Sequence, residues 1–239
     1  MLNYYKKHIN NIYNFNFFNA LFVLTAIFNG ILLLAVGTDN MNFGHNSSLN
    51  NLFSICDFYL LLVYVVFLIF TVGMDFKNSM GHISLSASKS KSNDYMVKKI
   101  MTIICQYVIC YAITLINIIY CYGKVARKDT IQYHLEILIG SSIITTIFVT
   151  SITLFFIVLI KDIPKTTIVV ISLYFIEEYL WRGQVTRKYG ILAHRFYWDW
   201  TDMRFNITEK LVYLAVSIVL LIFSYFWLGR GSRSTYKGL

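Results

Sequence analysis

Charge is what this chain of 239 residues has least of: 14% of its residues are charged and 57% are hydrophobic. With a mean hydropathy of +0.59, that balance excludes a soluble globular domain, where about a quarter of residues carry charge. Proline occurs once, at Pro164, and no internal repeat, low-complexity arm or linker is present. The four cysteines, Cys56, Cys105, Cys110 and Cys121, lie in or at the edges of apolar runs and form no metal-ligand spacing. Cys56 and Cys121 could both sit near one membrane face and form a bridge, but small buried apolar residues are the better reading. His8, His45, His82, His134 and His194 are scattered, and none stands four residues from another histidine or cysteine. The residues therefore give no metal site. No G-x-x-x-x-G-K-[ST] phosphate loop occurs, so the chain cannot bind ATP by that device.

What the chain has in abundance is apolar sequence. Spanning a bilayer takes about 20 mostly apolar residues. Phe17 to Val36, Phe53 to Val72, Ile100 to Tyr122 and Ile137 to Ile160 supply four such runs. The last is uncharged and rich in Ser and Thr. A shorter run, Thr166 to Leu180, ends in Glu177 and Glu178, and Leu211 to Leu228 makes a sixth. The runs are continuously apolar rather than alternating, which means helices and not barrel strands. Pro164 suits the first turn of the fifth helix. The expected fold is all-α: one polytopic transmembrane domain over residues 1–239 with about six membrane helices.

Basic residues set the orientation. With a cytoplasmic N-terminus, the inner segments hold Lys6, Lys7, Lys77, Lys89, Lys91, Lys98, Lys99, Lys161, Lys165, Arg230, Arg233 and Lys237. The short outer loops then hold only Lys124, Arg127 and Lys128. Six more precede the last run in a long segment, and long translocated segments weigh little, so both termini are expected inside. The net charge of +9 then reflects topology in the cell membrane and contact with anionic lipid. Charges dispersed between spans are a poor fit to nucleic-acid binding. Lys6 and Lys7 before the first run imitate a signal peptide, but the apolar stretch exceeds the usual h-region of about 7–15 residues, so an uncleaved helix is expected.

The segment from Gly73 to Lys99, GMDFKNSMGHISLSASKSKSNDYMVKK, is larger than a simple turn requires. Phe76, Met80 and Ile83 fall at i, i+4 and i+7 and would form one apolar face of a short helix, opposite Lys77, Asn78 and Ser79. Such a helix lies on a membrane surface or fills a groove on another protein. Gly81 lowers helix propensity by about 1 kcal/mol relative to alanine, so this helix needs a partner or the bilayer. Ser84 to Ser92 reads as a solvated stretch, and Asn93 as an N-cap for the third helix. The plain alternative is a lipid-facing loop carrying positive-inside lysines.

This layout resembles the permease subunit of a type-2 ABC exporter. That family has about six helices, cytoplasmic termini, and a coupling helix in the loop after the second helix. Asp75, Gly81, Leu85, Ser88-Lys89, Tyr95 and Lys98 stand at positions comparable to its motif, while Ala87 and Lys89 replace the usual Pro and Arg. The resemblance implies that Asp75, Phe76, Met80, Gly81, Ile83, Leu85, Lys89 and Tyr95 couple the chain to an ATPase. The partner would be a separate cytoplasmic ABC ATPase chain, which would hold ATP and Mg; no cofactor is expected on this chain itself. A second permease chain, identical or not, would complete the pathway, and the inner turn at Lys161 and Asp162 would make a second, smaller contact.

A second charged and aromatic stretch runs from Ile176 to Asn206 and holds Trp181, Tyr189, Phe196, Tyr197, Trp198 and Trp200. Tyr and Trp favour the membrane–water interface, and the family's re-entrant segment before its last helix would suit this stretch. Glu177 and Glu178 are costly to bury in lipid and should face water, a pathway or a basic partner. Arg182 follows Glu178 by four residues, within reach on one helix face. An ion pair anchoring a helix end is the plain reading; an outer pathway formed by Glu177, Glu178 and Arg182 is the functional one. The same EEYLWRG also resembles the E-E-x-x-x-R signature of intramembrane CAAX-type and bacteriocin-processing proteases. There a glutamate activates water with help from later histidines, yet only His194 follows here, and Gly190 stands where the second motif has Phe. A non-transporting immunity protein that holds a toxin or peptide is a third possibility. The exporter reading, moving an amphipathic or hydrophobic substrate such as a peptide, antibiotic or lipid, accounts for the most residues.

Overall fold

A computed structural model describes residues 15–37, 48–77, 89–125, 135–182 and 203–228. Among them the chain is all helical, in the order α1 (Phe15–Gly37), α2 (Ser48–Lys77), α3 (Lys89–Val125), α4 (Leu135–Ile160), α5 (Ile163–Arg182) and α6 (Met203–Leu228). Each contains one of the six apolar runs. Three stretches are long and apolar enough to cross a membrane: Val97–Tyr120, Ile139–Ile160 and Ile207–Trp227. The described apolar parts of the other helices, Leu21–Ile31, Tyr59–Met74 and Ile163–Ile176, are shorter.

Burial supports a membrane setting. Large apolar side chains such as Ile116, Val219 and Phe226 are about two-thirds exposed, whereas Asn29, Thr114, Glu209 and Lys210 are buried. In water that distribution would leave a large sticky surface; in lipid it satisfies both groups. α3 has 37 residues, about 55 Å of helix against a hydrocarbon core of about 30 Å. Its first eight residues, Lys89 to Met96, precede the apolar stretch.

The chain packs as two compact units. The first comprises Met1–Tyr64 and Gln106–Gln132. In it Asn29 of α1 donates from Nδ2 to Thr114 Oγ1 of α3 at 3.0 Å, and Asn117 Nδ2 donates to Asn29 Oδ1 at 2.8 Å. One turn away Cys110 shares a hydrogen bond with Thr25. Both pairings keep one register, so α1 and α3 run parallel. Amide bonds between helices serve as glue where water is absent.

The second unit comprises Val65–Cys105 and Tyr133–Leu239. Here Lys210 meets Thr145, Tyr213 stacks on Phe148, and Phe223 lies against Phe155. The steady offset means α4 and α6 are also parallel neighbours. The chain between them must therefore return, and α5, with 20 residues or about 30 Å of helix, is the described part of that return. The Ser and Thr content of α4 does not make a polar channel of it. Thr150, Ser151 and Thr153 donate to carbonyls three or four residues earlier on their own helix, and Ser217 and Ser224 do so on α6. Such residues satisfy themselves locally and let helices approach closely.

Two local expectations shift. Asn93, expected to cap the third helix, lies inside it, because α3 begins at Lys89. Phe76 and Lys77 continue α2, so the helix runs through Gly73 and into the beginning of the expected coupling segment.

Candidate functional site

The turn between α4 and α5 is built from two residues, each with a definite task. Lys161 has φ 55°, the left-handed conformation normally left to glycine, and its N–H donates to Ile157 O at 3.0 Å. That bond closes the C-terminus of α4 as an αL cap. Asp162 then starts α5. Its Oδ1 accepts from the Lys165 N–H at 3.0 Å, and its carbonyl accepts from the Thr166 N–H at 3.0 Å. A carboxylate at this position satisfies an otherwise orphaned donor and favours the positive end of the helix. Pro164 follows as the second residue of α5, where a missing N–H costs nothing.

Ile163, the first residue of α5, reaches back to α2. A Cβ built on Gly73 would stand 2.8 Å from Ile163 Cγ1, closer than atoms can pack. Only glycine allows this approach, which explains a buried Gly73 inside an apolar helix. The contact lies two residues before Asp75. The end of α2 and the Lys161–Asp162 turn, two separate segments of sequence, therefore meet at one end of the second unit. On α3, Lys98 is exposed but Lys99 is buried.

A second polar group lies along the α4–α6 contact. Glu209 and Lys210 are 3% and 4% exposed. The Lys210 ammonium donates to Thr145 Oγ1 at 2.8 Å and sits 5.3 Å over the Tyr213 ring, which is stacked at 4.4 Å on Phe148. A lysine near a helix end ordinarily extends toward the headgroups. This one turns inward to a hydroxyl and an aromatic face, so its charge is held between α4 and α6. Glu209, the preceding residue of α6, is buried with it.

The residues expected to carry function fall as follows. Asp75 and Phe76 end α2, and Lys89 and Tyr95 open α3; Met80, Gly81, Ile83 and Leu85 lie outside the described residues. Lys161 and Asp162 form the turn described above. Glu177, Glu178 and Arg182 share the continuous helix α5, which places Glu178 and Arg182 one turn apart. The sequence reading does not single out Glu209, and it places Lys210 only among the six basic residues before the last apolar run. Their signal was an acidic–basic dipeptide abutting an apolar run opposite a hydroxyl-rich helix. Glu136 is exposed at the start of α4. Among the described residues no group of histidine, cysteine or carboxylate side chains could hold a metal. No family model, curated protein or solved structure matches the chain.

Proposed function

We propose that this chain is the membrane-spanning subunit of an ATP-driven exporter of the type-2 ABC class, moving an amphipathic or hydrophobic substrate across the cell membrane. ATP and Mg belong to a separate cytoplasmic ATPase, a second permease chain completes the pathway, and both termini face the cytoplasm. The observation that carries this reading is the Gly73–Ile163 contact. It sets the end of α2, where the proposed coupling segment begins, against the start of α5 beside the Lys161–Asp162 turn. α2 and α3 also continue past their apolar stretches on either side of residues 78–88, as helices transmitting force into the membrane must. Closure of the ATPase on ATP would push residues 76–85, and the tight contact would pass that displacement into α5. The chain would then alternate between inward and outward access.

Purification of the tagged chain in mild detergent, with mass spectrometry of co-purifying proteins, tests this reading. Recovery of an ABC ATPase, lost on Met80→Asp with the chain still inserted, is the expected result. An intact chain that brings no ATPase, or one whose ATPase association and transport survive Met80→Asp, would overturn it.

A further inference from the structure

Near the middle of α3, one buried amide differs from its neighbours. Gln106 is 4% exposed. Both its Nε2 and its Oε1 are fully enclosed, with no hydrogen-bond partner among the described residues. It stands nine residues along the Val97–Tyr120 stretch, about 14 Å from the beginning. The other buried amide network of this unit is satisfied, since Asn117 donates to Asn29 and Asn29 donates to Thr114. Elsewhere in this unit the tyrosines pair with one another: Tyr107, next in the chain, stacks on Tyr64 at 4.2 Å, and Tyr111 lies 6.1 Å from Tyr107. All four residues belong to the first unit.

A carboxamide without donor or acceptor partners is unfavourable in a low-dielectric interior, and leucine would fill nearly the same volume without that cost. The resting structure thus holds a neutral, planar group whose donor side and acceptor side are both unsatisfied. Its complement is a ligand offering an N–H and a C=O together. In an extended peptide the N–H and C=O of one residue project to the same side, the pairing used between antiparallel strands. An ion gains little from a lone neutral amide, and a hydrocarbon chain gains nothing from it.

We propose that Gln106 is the backbone-recognition group of an intramembrane peptide site. The substrate class is then an amphipathic peptide bound in extended form. This rests on the exporter reading, because an enclosed site needs a bundle that parts during its transport cycle. The carboxamide is the specificity element.

The test uses the full chain in lipid nanodiscs without ATP or any ATPase. The probe is a fluorescent octapeptide of alternating leucine and lysine, with a second version whose central amide is an ester and so lacks one N–H. Wild-type protein should bind the amide probe about tenfold more tightly than the ester. Gln106→Leu should raise the Tm of the unliganded protein by about 2–4 °C, weaken the amide probe about tenfold and erase the preference over the ester. Failure of the wild type to bind either probe would overturn the peptide assignment, as would equal binding of both. A Gln106→Leu protein that is less stable would show that the amide already has a structural partner, and would overturn the site as well. Because the assay needs no ATPase, failure to recover one would defeat the exporter reading while leaving this result intact.

Discussion

Substituting Gly73 by alanine puts the α2–α5 contact to a quantitative test. Two terms oppose each other. Alanine improves helix propensity over glycine by about 1 kcal/mol. Against this, the added methyl would stand 2.8 Å from Ile163 Cγ1, and overpacking of this kind costs about 1–3 kcal/mol. Cγ1 is near the backbone of α5, so relief requires a strained Ile163 rotamer or a displaced helix start. The net expectation is a loss of up to about 2 kcal/mol, or a Tm lower by up to about 8 °C for a chain of this size. Adding Ile163→Ala removes the offending atoms, and the nearest remaining contact is Ile163 Cβ at 3.9 Å, an ordinary separation. The double variant should therefore be more stable than the sum of the single effects by about 1–2 kcal/mol. Thermal unfolding of the four proteins in one detergent, followed by fluorescence, gives the cycle. If Gly73→Ala alone raises Tm and the two changes simply add, the close approach does not exist and the link between the coupling segment and α5 fails with it.

Other expectations follow from single contacts. Asp162→Ala should lower stability by about 1 kcal/mol through loss of the α5 cap, and Asp162→Asn should recover most of it in the same unfolding assay. Lys161→Gly should stabilise the turn by about 1 kcal/mol, because glycine adopts positive φ without strain; a loss of stability would contradict the αL cap. Thr145→Val should cost about 1 kcal/mol by stranding the buried Lys210 ammonium, and adding Lys210→Met should recover most of that loss. A double variant no more stable than Thr145→Val would refute the contact. Asn29→Leu should destabilise by about 1–2 kcal/mol, and Asn29→Leu with Asn117→Leu should recover most of the loss, since removing both partners leaves no amide stranded.

Which features could be read from the sequence is clearest at the helix ends. Pro164 marked the start of α5 because a residue without an N–H belongs in a first turn, and it is the second residue of that helix. Helix ends set by interactions elsewhere were harder. α6 begins at Met203, eight residues before Leu211, where the apolar run suggested. Its early turns are polar in sequence, and they remain helical while Lys210 finds Thr145, 65 residues away. Gly73 read as the beginning of a loop because glycine usually breaks helices. In the fold it is a helical residue whose missing side chain makes room for Ile163. The sequence shows that α4 is rich in serine and threonine but not what those hydroxyls bond, and Thr150, Ser151 and Thr153 donate to carbonyls of their own helix.

By itself the sequence determined the class: continuous apolar runs of membrane length, with little charge, can only satisfy their backbones as helices in a bilayer. It also determined where most helices lie, because apolarity over about 20 residues is a local property. The tertiary structure alone decided which polar groups are paired, which approach needs a glycine, and which amide is left over at Gln106. Those outcomes depend on which helices become neighbours and in what register. That information resides in packing between distant segments, and no window along the chain contains it.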